Sequence, residues 1–173
     1  PSNEAAHRLI AAWPDWRVPA VVLHGPPGSG KSHLGAVWRA ASRAVAIDAR
    51  VLAIEAVPFL IGEAKAALVE HADEAAGTAE REQALLHLYN LLLARGGSLL
   101  LTAREPSALW PLGLADLASR MRAALSVRID APDDAPITTQ RATPLPPTEA
   151  PAAAPKTDAP DEVAALRAAV GEF

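Results

Sequence analysis

Apolar positions along the first 130 residues fall into two alternating patterns. Short, nearly unbroken aliphatic runs cover 20–24, 44–48, 66–70, 98–102 and 125–129. Between them, 31–43, 52–63, 80–95 and 114–124 are rich in Ala, Leu and Arg at helical spacing. A strand buried on both faces reads as a continuous apolar run, and regular strand–helix alternation implies right-handed crossovers into a parallel sheet. The pattern therefore predicts a three-layer α/β domain with helices on both sides of a parallel sheet.

The pattern ends abruptly. From 131 to 160 the chain carries eight prolines and eight alanines with no aromatic residue, and Ile137 and Leu145 are its only larger aliphatics. Such a segment cannot bury enough apolar surface to offset its ordering entropy, so a disordered Pro/Ala-rich linker is expected. Over 161–173, Val163, Leu166, Val170 and Phe173 recur at helical spacing, which predicts a short amphipathic helix that is marginal alone. The expected organisation is a nucleotide-binding body over 1–130, a linker over 131–160 and a helix over 161–173.

Charge and composition narrow the class. Of the 16 bases and 20 acids, seven acids and three bases lie beyond residue 130, leaving the body balanced at 13 each. A neutral body without a Lys/Arg stripe gives no footprint for direct nucleic-acid binding. The 173 residues contain no cysteine, which excludes disulfide scaffolds and thiolate metal sites. No stretch reaches the ~20 apolar residues that span a bilayer, and no leader pattern precedes the first run, so a cytoplasmic protein with no membrane partner is expected. A chain opening on Pro1 rather than methionine is expected to be processed or part of a longer one.

Chemistry enters directly after the first run. Gly25-Pro26-Pro27-Gly28-Ser29-Gly30-Lys31-Ser32 is a complete G-x-x-x-x-G-K-S phosphate loop between a predicted strand and a predicted helix carrying Leu34, Val37, Trp38 and Ala41. Its glycines let backbone N–H groups turn toward phosphates, and the helix N-terminus adds positive character. Lys31 is expected to bridge the β- and γ-phosphates and Ser32 to hold Mg²⁺, with His33 next in the binding segment; the cofactor is ATP or ADP with Mg²⁺. The plainer reading is a glycine-rich turn that binds nothing.

A phosphate loop needs an acid near its metal, and Glu70 closes the one apolar run ending in an acid at a suitable distance. His71 follows, where ATPases of this class carry the carboxylate that polarises water, so weak or absent intrinsic hydrolysis is expected. Both are also readable as polar residues leaving a strand. Thr102 ends a strand on a hydroxyl able to sense the γ-phosphate or its water; otherwise it simply closes the strand. Arg120 lies near a helix end, as a finger acting in trans does, or as a surface ion pair or helix-terminal cation does. Trp13, Trp16, Trp38 and Trp110 are expected to be packing anchors, and the histidines show no zinc-binding spacing.

These residues resemble a known family. The loop 25–32, Leu68-Val69-Glu70, Leu88-Tyr89-Asn90 with Gly96-Gly97, and Leu101-Thr102-Ala103-Arg104-Glu105-Pro106 look like the AAA+ module of the bacterial replication initiator family DnaA. Pro1-Ser2-Asn3 with Ala5-Ala6 is similar to the G/P-S-N-x-x-A opening of that module, which leads toward its adenine pocket. The last of the two C-terminal strings, Leu112-Gly113-Leu114-Ala115-Asp116-Leu117-Ala118-Ser119-Arg120, and 101–106 with it, resemble the shorter DnaA-related inactivators called Hda. The resemblance covers about residues 1–130. It implies a P-loop NTPase fold of the AAA+ (ASCE) type, strand order 5-1-4-3-2, Thr102 as sensor 1 and Arg120 as arginine finger. The implied role is negative regulation of chromosome replication, in which the chain docks on DnaA and promotes hydrolysis of the initiator's ATP.

The chain departs from the family after the last strand. A helical lid with a sensor-2 arginine is expected there, whereas Pro132-Asp133-Asp134-Ala135-Pro136 runs into the Pro/Ala segment. No helix-turn-helix module is seen, and the short sliding-clamp-binding motif of Hda-like proteins would lie upstream of Pro1. Self-association of the AAA+ kind is a further expectation. Two other readings stay open: a self-sufficient P-loop ATPase or helicase-loader-like motor, and a remnant that binds no nucleotide and serves as an interaction platform.

Overall fold

Five parallel strands, β1 (Ala20–His24), β2 (Val45–Asp48), β3 (Ala66–Glu70), β4 (Ser98–Ala103) and β5 (Leu125–Arg128), form one sheet in the order β2-β3-β4-β1-β5. This is the expected order 5-1-4-3-2 read from the other edge. The computed structural model describes residues 3–131. Apart from Ala131, the expected linker and terminal helix lie outside the described residues, as does the lid question. No helix among the described residues is long and apolar enough to cross a membrane.

Alternation along each central strand divides the core in two, because successive side chains of a strand point to opposite faces. Ala20 and Val22 of β1, Ala67 and Val69 of β3, and Leu99 and Leu101 of β4 join one cluster with α3 (Val57–Ile61), α4 (Ala79–Ala94) and α5 (Ala115–Ala123). Val21 and Leu23, Ala66 and Leu68, and Leu100 join the other with α1 (Glu4–Ala11) and α2 (Lys31–Ser42). In α4 the buried positions include Glu82, Leu85, Leu88, Tyr89 and Leu92, one helical face. The tryptophans are packing residues, as expected. Trp38 is fully buried, Trp16 stacks on it at 5.3 Å between ring centroids, and Trp13 meets it edge-on at 6.3 Å.

Two local expectations need correction. The helix predicted over 52–63 is instead a 3-10 turn, Ile54–Ala56, followed by the short α3, because Ala53 is extended and Pro58 begins a new helical turn rather than continuing one. On α2, Val37 is 48% exposed rather than buried, and Ala41 is exposed as well. The inner face is formed by Leu34, Gly35 and Trp38. A Cβ at Gly35 would stand 3.3 Å from both methyl groups of Leu68, so the glycine lets helix and sheet approach closely. Helix α1 precedes the first predicted strand and buries Ala6 and Ile10. Asn3, just before it, donates from Nδ2 to the Asp130 carbonyl (3.1 Å) and accepts at Oδ1 from the Asp130 N–H (3.0 Å), fastening the start of α1 to the chain leaving β5.

Candidate nucleotide site

The loop between β1 and α2 is held by contacts that its sequence dictates. Gly25 follows β1, its N–H donates to the Ala103 carbonyl at 3.3 Å, and a Cβ there would stand 2.0 Å from the Ile129 carbonyl oxygen. Only glycine fits that approach. Gly30 caps α2 at φ +98°, a left-handed conformation that turns the chain from loop into helix. Ser29 is buried beneath the loop. The Lys31 ammonium folds back over its own loop, donating to the carbonyls of Gly25 (2.8 Å) and Pro26 (2.7 Å) and to Ser29 Oγ (3.3 Å). Burial lowers its pKa; the negative charge of Asp73 works against that shift and Arg104 adds to it. A bound phosphate exchanges neutral carbonyl acceptors for anionic ones, which is the stronger pairing for an ammonium.

A cavity of about 180 Å³ opens at this point, lined by Pro27, Gly28, Lys31 and Ser32 of the loop and helix and by residues at the ends of two neighbouring strands. From β3 come His71 and Asp73; from β4 come Thr102, Ala103 and Arg104. This is the crevice at the carboxyl ends of the strands where open α/β sheets bind ligands. The cavity thus brings together Pro27, Gly28, Lys31, Ser32, His71 and Thr102 of the expected residues. A second hollow of about 590 Å³ lies across the loop, lined in part by His24, Gly25, Pro26, Arg104 and Arg128. There burial and then the Arg128 charge lower the His24 pKa, so its imidazole favours the neutral form.

Three expected residues lie elsewhere. Glu70 ends β3 paired in register with Asp48 of β2, and is not among the residues lining the 180 Å³ cavity. His33 points away from the phosphate cavity, lining an apolar groove between α1 and α2 with Ile10, Trp13 and Val37. Arg120 sits in the last turn of α5, where Asp116 one turn earlier accepts from its Nε at 3.2 Å and its guanidinium lies 5.1 Å from the centre of the Tyr89 ring.

His71 takes up a left-handed conformation (φ 54°) as the chain turns out of β3. Its Nδ1 is buried without a hydrogen-bond partner among the described residues and stands 3.6 Å from Asp48 Oδ2. The Asp48 carboxylate is held by Arg50, whose hydrogen bonds bring its pKa down from 3.8 to about 2. His71 is therefore turned partly toward an anionic edge cluster while still bordering the phosphate cavity.

Two acids escaped the sequence reading. Asp73 lies inside the 3-10 turn Ala72–Ala75, beyond the strand end where an acid is sought, yet that turn folds it back into the cavity. Its Oδ2 accepts from the Arg104 N–H at 3.1 Å. Glu82 is 2% exposed and accepts from the backbone N–H groups of Gly77 (2.9 Å), Gly113 (2.9 Å) and Leu114 (2.8 Å). Burial alone would raise its pKa; the donors at Leu114, Gly113 and Gly77 outweigh burial, and the net shift is downward. The carboxylate fixes the start of α5, the helix that carries Arg120, to α4 and the loop before it. The one available sequence signal was an acid on an otherwise apolar helix face.

No family model matches the chain. It is 29% identical over 149 residues to the chromosomal replication initiator protein DnaA of Caulobacter vibrioides (strain NA1000 / CB15N), a match covering 73% of this chain and 29% of that protein. The chain spans less than a third of the length of the curated relatives it matches. Among solved structures, domain III of the Thermotoga maritima replication initiation protein DnaA superposes with a TM-score of 0.64 at 17% identity, over 78% of this chain and 65% of that one. AMPPCP-bound DnaA from Aquifex aeolicus gives 0.62 at 16% identity, over 74% of this chain and 46% of that one. The chain is thus similar in sequence to DnaA, and it shares the fold of the solved DnaA domain III.

Proposed function

We propose that this chain is a nucleotide-binding regulator of replication initiation, which binds ATP or ADP with Mg²⁺ in its own phosphate cavity and presents Arg120 to the nucleotide of a DnaA partner. The observation that carries this reading is the separation of two sets of groups. Lys31, Ser32, Asp73 and Thr102 converge on one cavity, whereas Arg120 stands apart on α5, steered by Asp116 and Tyr89. An arginine placed that way cannot complete its own site and is suited to stabilise phosphate charge across an interface. The Aquifex aeolicus relative was solved with AMPPCP bound, which supports nucleotide as the ligand class. Within the cavity, Lys31 supplies charge to phosphate oxygens, the Ser32 hydroxyl is an oxygen donor for Mg²⁺, and Thr102 offers a hydroxyl to the γ-phosphate or its water. The donors are hard oxygen groups of the kind Mg²⁺ takes, so the cavity fits the ion; when bound, Mg²⁺ neutralises phosphate charge.

The test is release of phosphate from ATP-loaded DnaA, with and without this chain. The ADP-bound wild type is expected to accelerate release; Arg120→Ala is expected to abolish the acceleration while binding nucleotide as the wild type does. Loss of nucleotide binding in Arg120→Ala would overturn the finger assignment. Asp73 also favours a second reading, a self-sufficient ATPase, because it returns a carboxylate to a cavity where His71 supplies none. Turnover by the chain alone, abolished in Lys31→Ala, would select that reading.

A further inference from the structure

We propose that Ser107 is a positioning residue for Arg120: its buried hydrogen bond to the Met121 carbonyl ties the last turn of α5 to the loop leaving the phosphate cavity, so that nucleotide in the cavity is felt at Arg120. This inference rests on the nucleotide-binding reading above and adds to it a regulation of the outward-facing arginine by the chain's own nucleotide. The end of α5 shows why the tie is needed. The last carbonyls of a helix lack intrahelical donors and are commonly satisfied through a left-handed glycine. Here the residue after α5 is Ala124, which is extended (φ −64°, ψ 143°). Its N–H donates to the Arg120 carbonyl at 3.0 Å. The next carbonyl, that of Met121, accepts from Ser107 Oγ at 2.7 Å. Ser107 is 4% exposed and Met121 is fully buried, so each group depends on the other for its partner.

The other side of the tie begins in the cavity. Thr102, Ala103 and Arg104 line it, and the Arg104 N–H donates to Asp73 Oδ2 at 3.1 Å. Arg104 and Ser107 are three residues apart, at most about 11 Å of extended chain. That span is stiff. Pro106 fixes its own φ at −60°, the Leu109 N–H donates to the Pro106 carbonyl at 2.9 Å, and Trp110 Nε1 donates to the Glu105 carbonyl at 2.9 Å. Ala103 and Trp110 also share one buried cluster with Leu117 and Met121 of α5. A close-packed interior has little void to absorb a shift, so a movement at the end of β4 passes to the helix packed on it. Helix α5 is therefore held at both ends, and the two ties lead to different places. Glu82 fastens its start to α4, whereas Ser107 fastens its end to the loop from the cavity. A phosphate paired with Lys31 brings negative charge to the cavity that Thr102 and Arg104 also line. A hydroxyl that only capped α5 would steady its last turn equally with the cavity filled or empty; a tie makes that steadiness depend on the nucleotide.

The experiment follows the full chain by NMR with and without saturating ADP–Mg²⁺, for wild type and Ser107→Ala. It reads hydrogen exchange of the Met121 to Ala124 amides relative to those of β2, which corrects for the general stabilisation any ligand gives, together with the Arg120 Nε–H signal. In the wild type, ADP–Mg²⁺ is expected to slow exchange in the last turn of α5 about tenfold beyond β2, a usual size for coupling between two sites, and to shift the Arg120 signal. In Ser107→Ala both responses are expected to disappear, while affinity for ADP–Mg²⁺ stays within about twofold of the wild type, a difference well under 1.4 kcal/mol. Should Ser107→Ala fail to fold, Ser107→Cys, of similar shape and with a weaker donor, takes its place with both responses reduced. Responses that survive in the variant would overturn the role of Ser107. Equal loosening of the last turn with and without nucleotide would overturn it in favour of a plain helix cap. A wild type that binds ADP–Mg²⁺ with no response in α5 removes this inference alone; one that binds no nucleotide removes the functional reading and this inference with it.

Discussion

The phosphate cavity and the outer face of α5 are built in opposite ways. The cavity takes Lys31 and Ser32 from the start of one helix, Asp73 from a turn after β3, and Thr102 and Arg104 from the end of β4. None of these groups can act until the sheet has aligned its strand ends. Arg120 relies on Asp116 of its own helix and on Tyr89 of the helix beside it. Its ion pair follows from i,i+4 spacing alone. A cavity that holds a small ligand needs convergence, while the proposed presentation of Arg120 to another molecule needs a rigid mount and an open side. Glu82 supplies that mount, tying Gly113 and Leu114 at the start of α5 back to α4.

Perturbations should separate the two regions, and the largest effect is expected at α5. Arg120→Ala should lower partner-stimulated ATP hydrolysis by about 10³-fold, the lower range for an arginine finger, with nucleotide affinity unchanged. Single-turnover phosphate release from the partner measures the first quantity and nucleotide titration the second. Lys31→Ala should do the reverse at the cavity, weakening nucleotide affinity by about 10²-fold through loss of charge-assisted phosphate contacts. Its melting temperature without ligand checks whether the loop, which Lys31 also braces, stays folded.

Glu82→Ala connects the regions. It leaves three backbone N–H groups without their acceptor in a buried setting, so chemical denaturation should show a loss of about 3 kcal/mol. Stimulation of the partner should fall more than nucleotide affinity does, since α5 is loosened while Lys31 is not. A variant that lost both equally would show that α5 and the cavity are one mechanical unit.

The smallest effect is expected at Asp48. Its folded pKa is depressed from 3.8 to about 2 by Arg50, so the ionised form is favoured by folding. The contribution is complete above the unfolded value and is lost as pH falls through the folded one. Asp48→Asn should therefore lower the melting temperature slightly at neutral pH, and the difference should close between about pH 4 and pH 2. A difference that persisted below pH 2 would mean that the side chain acts through packing rather than charge.

The sheet was legible in the sequence because its strands are continuous apolar runs, and each predicted run lies within one residue of an observed strand end. The phosphate loop was legible because its residues are contiguous. What escaped depends on distance or on local exceptions to periodicity. Asp73 sits three positions past the end of β3 and enters the cavity through a 3-10 turn, which carries no periodic signal. The inner face of α2 places Gly35 against Leu68, a tertiary contact that helical spacing alone does not contain, while Val37 stays exposed. Arg120 was singled out by its place in a family-like string, and its partner Asp116 lies one turn earlier in that same string. The companion ring, Tyr89, is on another helix.

The most direct test of the central claim is calorimetric titration of the full chain with ADP–Mg²⁺ and with ATP–Mg²⁺, with Lys31→Ala as control and phosphate release followed in the ATP sample. The account predicts micromolar or tighter binding of both nucleotides, lost in Lys31→Ala, with negligible release by the chain alone. No heat of binding from the wild type with either nucleotide would contradict it, leaving the phosphate loop without a ligand and the α5 surface as the remaining seat of function.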